Sequence, residues 1–350
     1  MRNPILIELT RGALVESVHA GALAVVRAGG EVVASVGDVA APVFPRSAIK
    51  PLQALPFVES GAVDRFGFGA PEIALACGSH SGARAHVAGV TAILARAGLS
   101  ATALGCGAHE PMDAATAREM IRSGTSPSPL NHNCSGKHAA MLATAVHLAE
   151  PTEGYWRPEH PVQQRIRRAL EDMTGCALGA DVRGIDGCSV PNWAIPLAGL
   201  ARAFARLATG DGLAPERAGA GRRIVQACWA YPELVAGAGR LDTAVLGRLG
   251  GQVLVKSGAE GVYCGALPEQ GLGFALKIDD GAKRAAEPVT VRLVSRFYPA
   301  VQHMGPDPRL TNWRGVEVGE MRTTDILEGM LSKLPTPVTG SLVGRPGGKG

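Results

Sequence analysis

Short runs of apolar and β-branched residues alternate with polar ones over the first forty positions of the chain. The segments ILIEL, LVESVHA, LAVVRA and EVVASVG are each bounded by glycine or a turn, which is typical of β-strands. The AGG between the last two predicts a hairpin. The same pattern returns near residue 251 in GQVLVKSG, GVYCGAL and LGFALKI. Strands are therefore predicted at both ends of the chain.

Between these ends the spacing of apolar residues changes to the helical period. A helix is predicted to open near Ser47, another covers HVAGVTAILARAGL, and one starts at Lys283. Further helices are predicted over 137–149, 161–173 and 192–208. The order predicts a mixed α/β (α+β) fold. Its antiparallel sheet combines residues from about 1–45 and 250–280, helices flank the sheet, and about 46–240 form a helical middle region.

Length and composition are compatible with one large domain. The 350 residues include 46 glycines and 24 prolines, which are scattered and form no repeat. We expect a single domain over residues 1–325. After about Thr323 one more helical piece is predicted, followed by the Gly- and Pro-rich PTPVTGSLVGRPGGKG, and residues 326–350 are assigned to a flexible tail.

Charge and cysteine content exclude several classes of protein. The net charge is +4 and the basic residues are dispersed without interleaved aromatic residues, so no nucleic-acid surface is expected. The apolar run in MRNPILIELTRG is too short for a signal peptide or a membrane span, and no other stretch reaches that length. Seven cysteines, an odd number spread widely, argue against a disulfide framework. A cytoplasmic protein that binds no membrane is expected.

The first candidate for chemistry is the pair Ser47 and Lys50. On a helix, residues three apart share a face, so Lys50 could reach the Ser47 hydroxyl. A serine attacks well only when a base takes its proton, and a lysine can be that base when burial lowers its pKa. The alternative is a serine that caps the helix beside a solvated lysine. The spacing alone favours that alternative.

Two later motifs favour catalysis. CGSHSGARAH places Ser79 between glycine-rich turns, and LVKSGAEG places Lys256 at the end of a predicted strand. The order S-x-x-K, then S-x-polar, then K-S/T-G is that of serine penicillin-recognising enzymes and related glutaminases. Together the three motifs predict a serine hydrolase site. Motif order favours Ser47 as the nucleophile. Ser79 lies in a glycine-flanked loop that could also present its hydroxyl, so the choice between the two serines stays open.

A third cluster combines cysteines with nitrogen donors. NHNCSGKHAAM holds Cys134, Lys137 and His138, and GIDGCSVPNW holds Cys188. Two thiolates, a nitrogen and a water could bind zinc tetrahedrally. Histidine is the ordinary nitrogen ligand, whereas lysine must first lose its proton. Without a C-x-x-C pair, spacing alone favours two buried structural cysteines.

Taken together, the segments RSAIKPLQALP, LACGSHSG, NCSGKHAAML, GIDGCSVPNWA, VKSGAEGV and LKIDDGAKRA resemble the rhizobial-type L-asparaginases, the asparaginase II family. The resemblance runs from ELTRGALVESVHAG to about NWRGVEVG. It implies a fold like that of serine β-lactamases and glutaminases. It also implies hydrolysis of L-asparagine to L-aspartate and ammonia, and a homodimer.

The resemblance also assigns roles to residues. It implies two Ser–Lys pairs, Ser47 with Lys50 and Ser79 with Lys256. It implies one zinc per chain beside the active site, where the metal helps to hold the substrate, and it favours lysine over histidine as the third ligand. The implied zinc ligands are Cys134, Lys137 and Cys188. The expected substrate contacts are Arg46, Asp186 and His138. Ser189 stands where many relatives are expected to have glycine.

Two other functions fit parts of the sequence. Another serine amidohydrolase of the same fold, such as a glutaminase, β-lactamase or peptidase, would share the Ser–Lys motifs but has no need of the cysteine–lysine cluster. A non-catalytic zinc-binding protein would explain the cysteines but would leave both Ser–Lys pairs without a role. Ammonia release from asparagine and glutamine, with and without a chelator, distinguishes these alternatives.

Overall fold

The computed structural model describes residues 3–336 of the chain. The strands are β1 (Ile5–Arg11), β2 (Leu14–Arg27), β3 (Val32–Val36), β4 (Pro42–Val43), β5 (Arg183–Ile185), β6 (Pro191–Trp193), β7 (Ile195–Pro196), β8 (Leu254–Ser257), β9 (Val262–Leu267), β10 (Leu272–Ile278), β11 (Arg309–Thr311) and β12 (Glu317–Thr323).

Helices occupy most of the chain between β4 and β8, and within residues 3–336 two more follow the last buried strands. They are α1 (Lys50–Gln53), α2 (Leu55–Glu59), α3 (Ala62–Arg65), α4 (Ala70–Ala76), α5 (Arg84–Arg96), α6 (Ala114–Ser123), α7 (Ser135–His147), α8 (Pro161–Thr174), α9 (Leu197–Thr209), α10 (Pro215–Ala230), α11 (Pro232–Val235), α12 (Leu241–Arg248), α13 (Lys283–Ser295) and α14 (Asp325–Leu331). A 3-10 turn, Arg46–Ile49, precedes α1.

One antiparallel sheet joins the two ends of the chain. Its strand order is β11-β12-β1-β2-β10-β9-β8, and β3 also pairs with β2. Gly21 of β2 lies opposite Ile278 of β10, and Leu9 of β1 lies opposite Met321 of β12. The prediction of an antiparallel sheet built from both ends and combined with helices is confirmed. The sheet also extends into β11 and β12, beyond the ranges predicted for it.

Strands β8 and β9 are buried on both faces. Every residue of β8 and β9 is buried, because α9 and α13 pack against the sheet. A methyl group on Gly273 of β10 would lie 2.0 Å from the Ala201 carbonyl of α9. The absence of a side chain at Gly273 lets α9 and β10 approach closely. Because β10 pairs with β9 and β9 pairs with β8, this contact also helps to fix β8, which carries Lys256.

Most of the predicted helices are present with shifted ends. The segment predicted over 192–208 becomes helical only at Leu197, because the residues before it form β6 and β7. The helix predicted near Ser47 is broken into short pieces, with Pro51 and Pro56 in the first turns of α1 and α2. These breaks let the chain turn around Lys50.

The helical piece predicted after about Thr323 is present as α14. It buries Leu327, Met330 and Leu331, so the boundary of the tail at residue 326 is placed too early. Apolar residues spaced along one face of a helix explain the difference. Residues 337–350 lie outside the described residues, and the tail prediction is untested there.

Two general properties follow from the described residues. Between residues 3 and 336, every helix is too short or too polar to cross a membrane. All seven cysteines lie in this range and none forms a disulfide bond.

Candidate active site

Ser79, in the loop after α4, lies between two buried lysines. Its Oγ is 3.0 Å from Lys50 Nζ and 3.0 Å from Lys256 Nζ. Lys50 begins α1, whereas Lys256 belongs to β8, so the contact joins the helical region to the sheet. Both lysine side chains are fully buried. The lysines of the first and third predicted motifs therefore meet at the serine hydroxyl of the second.

Backbone carbonyls hold each lysine in place. Lys50 Nζ lies 2.5 Å from the Gly78 carbonyl and 3.2 Å from the Asn133 carbonyl. Lys256 Nζ donates to its neighbour, the Ser257 carbonyl, at 2.7 Å. Burial lowers the pKa of both lysines, to about 8 for Lys256. Because like charges beside one hydroxyl repel, a state with one neutral amine is favoured.

Ser47 lies in the 3-10 turn before α1 and lines the same cavity as Ser79. The structure gives no hydrogen bond between Ser47 and Lys50, so the pair expected from their spacing is not formed. The Lys50 amine instead turns inward to the Gly78 and Asn133 carbonyls. Lys50 thus serves the second serine of the site rather than the first.

The cavity in front of the two serines has a volume of about 240 Å³. That size suits a small metabolite better than a drug-sized ligand. Its wall carries charges of both signs from Arg240, Lys283 and Glu260. A small zwitterion could be bound at both of its charged ends.

Cys134 and Cys188 come together from distant parts of the chain. Cys134 caps α7, and Cys188 lies in the turn between β5 and β6. The interaction between the two thiols lowers the pKa of Cys134 and raises that of Cys188, and the Cys188 thiol donates to Asp186 Oδ2 at 3.6 Å. Lys137 Nζ approaches Cys188 Sγ to 3.2 Å. Burial opposes its charge, yet the two sulfurs raise the pKa of Lys137.

This donor set fits zinc when the lysine is counted. Two sulfurs and an amine meet at the start of α7, and Asp186 Oδ2 lies 3.6 Å from Cys188 Sγ. Within residues 3–336, no group of three or more His, Cys, Asp and Glu side chains is arranged to hold a metal ion. A zinc ion here would therefore need the neutral amine of Lys137.

His138 points away from both the cysteines and the cavity. Its Nδ1 shares a hydrogen bond of 2.6 Å with the Tyr155 hydroxyl, which also accepts from the Gly105 N–H. Successive residues of a helix point about 100° apart, so Lys137 and His138 face different sides of α7. The expectation that His138 contacts the substrate does not fit its complete burial outside the cavity.

Arg46 and Asp186 bind each other. Arg46 Nε donates to Asp186 Oδ1 at 2.7 Å. Burial opposes the charge of Asp186, but Lys137 and Arg46 keep the pKa of its carboxyl low. Arg46 lines a separate groove of about 540 Å³ rather than the cavity of the serines. Neither residue lines the serine cavity, so their expected contact with the substrate stays a prediction.

Ser189 adopts a left-handed backbone conformation, with φ of +75°. It follows Cys188 in the turn, and its N–H donates to the Asp186 carbonyl. Glycine enters this region without strain, whereas serine does so at some cost. This conformation gives a physical reason for the glycine expected at this position in relatives.

Comparison with known families decides the classification. The sequence profile described as L-asparaginase II matches residues 7–323. The chain belongs to the L-asparaginase II family. The match covers Ser47, Ser79, Lys256 and the cysteine cluster. The search of curated proteins gave no match.

Solved structures similar to this L-asparaginase II family member have low sequence identity. A β-lactamase from Mycobacterium bovis is 12% identical, with a TM-score of 0.41, over 81% of this chain and 92% of that one. A D-alanine carboxypeptidase from Burkholderia cenocepacia is 13% identical, with a TM-score of 0.37, over 76% of this chain and 90% of that one. Scores this low carry no weight for activity, and the fold class rests on the sheet topology.

Several residues of the site in this family member carry no recognisable motif. Asp242, at the start of α12, is buried beside Lys256, and Asn133 supplies a carbonyl to Lys50. Arg240 lines the cavity. An isolated acid in GRLDTAV or an asparagine before a cysteine has no distinctive spacing, so only the three-dimensional contacts identify them.

Proposed function

We propose that this protein is an L-asparagine amidohydrolase, which converts L-asparagine to L-aspartate and ammonia. Membership of the L-asparaginase II family supports an amidohydrolase. The observation that carries the proposal is the Ser79 hydroxyl held between Lys50 and Lys256 at the wall of a small charged cavity. This arrangement can move a proton to and from a serine nucleophile.

The hydrogen bonds favour a neutral Lys50 and a charged Lys256. A neutral amine has two N–H donors, which match the Gly78 and Asn133 carbonyls, and a lone pair that can accept from Ser79. Lys256 Nζ lies 3.8 Å from a carboxylate oxygen of Asp242, which favours the ammonium form. Ser79 would then accept a hydrogen bond from Lys256 and donate one to Lys50.

We assign the nucleophile to Ser47 and the proton relay to Ser79. The backbone N–H of Ser79 already donates to the Val235 carbonyl at 2.7 Å and is not free to bind an oxyanion. The backbone N–H groups of Ser47 and Ala259 have no hydrogen-bond acceptor among residues 3–336. Both residues line the cavity. Two such donors at one wall can stabilise a developing oxyanion.

The reaction then runs in two steps. The Ser47 oxygen bonds to the side-chain carbonyl carbon of asparagine, and its proton passes through Ser79 to Lys50. Lys50 returns that proton by the same route to nitrogen as the carbon–nitrogen bond breaks and ammonia leaves. A water molecule then attacks the acyl-enzyme and gives its proton to Lys50, which passes it to the Ser47 oxygen as aspartate is released. Hydrogen bonds that are long without substrate tighten when it binds.

The charges around the cavity support an amino-acid substrate. Arg240 and Lys283 suit the α-carboxylate, and Glu260 suits the α-ammonium group. With those ends held, the extra methylene of glutamine would displace its carbonyl from Ser47, and small displacements lower rates strongly. We therefore expect kcat/KM for asparagine to exceed that for glutamine by more than the roughly 10–200-fold that one methylene gives.

A zinc ion at Cys134, Lys137 and Cys188 forms part of the proposal. Zinc supplies positive charge that attracts anionic groups. This chain's own contribution is to hold the two sulfurs and the Lys137 amine close to the cavity, since Asn133, next to Cys134, lines it. We also propose a homodimer and a cytoplasmic location. Seven cysteines without disulfide bonds support a reducing compartment, and light scattering of the purified protein tests the dimer.

Ammonia release by Ser47→Ala and Ser79→Ala variants tests the mechanism. Ser47→Ala should lose hydrolysis by several orders of magnitude and form no acyl-enzyme by mass spectrometry. Ser79→Ala should still acylate, but more slowly. Ser81→Ala, two residues further along the same loop, is the control and should stay close to wild type. Full activity of Ser47→Ala would move the nucleophile to Ser79. No ammonia from asparagine with the wild-type protein would overturn the proposed function.

A further inference from the structure

Asp242 is a buried carboxylate with an unusually complete set of partners. Its side chain is 1% exposed. It accepts from the Ser257 N–H at 3.2 Å on both oxygens, from the Ser257 hydroxyl at 2.5 Å, and from the Tyr263 hydroxyl. These donors take the place of the water that the carboxylate loses on burial. They hold its charge in one orientation within the core of the protein.

That charge lies next to the lysine of the relay. Asp242 Oδ2 is 3.8 Å from Lys256 Nζ, and Lys256 Nζ is 3.0 Å from Ser79 Oγ. Asp242 has no place on the wall of the cavity, so it touches neither Ser47 nor a bound substrate. Its effect on the proton network passes through Lys256, and its hydrogen-bond partners Ser257 and Tyr263 line the cavity.

We propose that Asp242 is a positioning residue, which keeps Lys256 in its ammonium form and aims that ammonium at Ser79. The proposal rests on the proposed function of the two Ser–Lys motifs. It assigns the acid at the start of α12 to the same proton network as a lysine on β8. Ser257 and Tyr263 orient the carboxylate and take no part in proton transfer.

The other groups around Lys256 act in the opposite direction. Burial and the positive charges of Lys50 and Arg240 lower the pKa of Lys256, whereas Asp242 and, more weakly, Cys134 raise it. The balance leaves the pKa of Lys256 at about 8. Without Asp242, Lys256 would lose its proton at a lower pH, and the active form would be depleted near neutrality.

The variant Asp242→Asn tests this proposal because asparagine keeps the shape and one acceptor oxygen but removes the charge. We expect the alkaline limb of kcat/KM for asparagine, near pH 8 in the wild type, to move down by about 1–3 pH units. Tyr263→Phe is the matched control. It removes one hydrogen bond to the same carboxylate and keeps its charge, so its limb should stay at the wild-type position.

A second measurement does not depend on asparagine. The rate at which a fluorophosphonate labels the active serine, followed by intact mass, should show the same displaced limb in Asp242→Asn. If the labelling limb is displaced in Asp242→Asn but the wild type does not hydrolyse asparagine, the role of Asp242 is supported and the proposed substrate is refuted. A folded Asp242→Asn variant with lower rates but an unmoved limb would reduce Asp242 to a structural residue and overturn the proposal.

Discussion

Three lysines are buried together in this protein, and each is stabilised by a different chemistry. Lys256 has the Asp242 carboxylate, Lys137 has the Cys188 sulfur, and Lys50 has backbone carbonyls, a hydroxyl and the Cys134 sulfur. A buried ammonium without a counter-charge is strongly disfavoured. Burial outweighs the sulfurs at Lys50 and lowers its pKa, which suits this lysine to act as a base.

The lowered pKa of Lys256 predicts a dependence of stability on pH. Its pKa is about 8 in the folded protein, against 10.5 for an ordinary lysine. Below about pH 8 the side chain is charged in both the folded and the unfolded state. The buried ammonium then destabilises the folded state by the full roughly 3 kcal/mol that the pKa difference represents. Between the two values only the unfolded chain keeps the proton, so the free energy of unfolding rises with pH.

Lys256→Met removes that contribution. Urea unfolding of both proteins at about pH 7 and about pH 10 should show the wild type gaining stability relative to the variant by roughly 2–3 kcal/mol. Groups that titrate equally in both proteins cancel in this comparison. Parallel pH dependence of the two proteins would contradict a depressed pKa for Lys256.

At the scale of single residues, the sequence predicted that serines and lysines meet in one site, but it predicted only one of the two Ser–Lys contacts. The motifs identified Ser79 with Lys256 correctly as neighbours, because K-S-G on a strand and a serine in a glycine-bounded loop have a known order. They paired Lys50 with Ser47, because helical spacing places the two on one face. The carbonyls of Gly78 and Asn133, which turn Lys50 inward, leave no trace in side-chain patterns.

Among the helices, α7 shows how one glycine determines the position of a site. A methyl group on Gly136 would lie 2.3 Å from the Leu75 carbonyl of α4. The missing side chain therefore allows α4 and α7 to touch, and α7 begins with Cys134 and Lys137. The spacing of these two helices sets where the sulfurs and the amine stand relative to the loop of Ser79.

Gly136→Ala should accordingly destabilise the fold by about 1–3 kcal/mol, since backbone rather than a flexible side chain must move. Gly329→Ala is a control of the same chemistry. Gly329 lies exposed in α14 with nothing within 4 Å of an added methyl group, so this change should stabilise by about 0.5–1 kcal/mol. Thermal unfolding distinguishes the two. Equal, small effects would contradict a tight α4–α7 contact.

The boundaries of elements were harder to predict than their existence. Helices α8 and α13 follow the apolar period of the sequence, because one face of each packs on the core, whereas α7 is buried on all sides from Ser135 to Ala145. Strands β6 and β7 were missed, since strands of two or three residues are too short to show any period. They depend on pairing with distant segments, β5 and β4.

For the molecule as a whole, the zinc proposal predicts a link between distant parts of the chain. One zinc per chain would connect the start of α7 to the turn between β5 and β6. Elemental analysis of protein purified without added metal should find it. Chelation should lower Tm without unfolding the protein at room temperature, because the core does not depend on one metal ion.

Cys134→Ser should lose the zinc, whereas Cys176→Ser should keep it. Cys176 follows α8, away from the cluster, and serves as the control. Zinc-free protein in which a thiol titrant reacts freely with both Cys134 and Cys188 would rule the metal out. The sulfur–ammonium contact of Lys137 with Cys188 would then be purely structural.

The two-ended sheet also has a consequence for the order in which a ribosome produces the working protein. Strand β2 can pair with β1 and β3 early, but Gly21 must wait for Ile278 before β2 pairs with β10. At roughly 5–20 residues per second, that interval lasts about ten seconds to a minute. Lys256 is 177 residues behind Ser79 in the chain, so the nascent helical region emerges with its serines and Lys50 but without the second lysine. The relay is therefore completed late, when the returning strands close the sheet, and a truncated or stalled chain would carry the motifs without the catalyst.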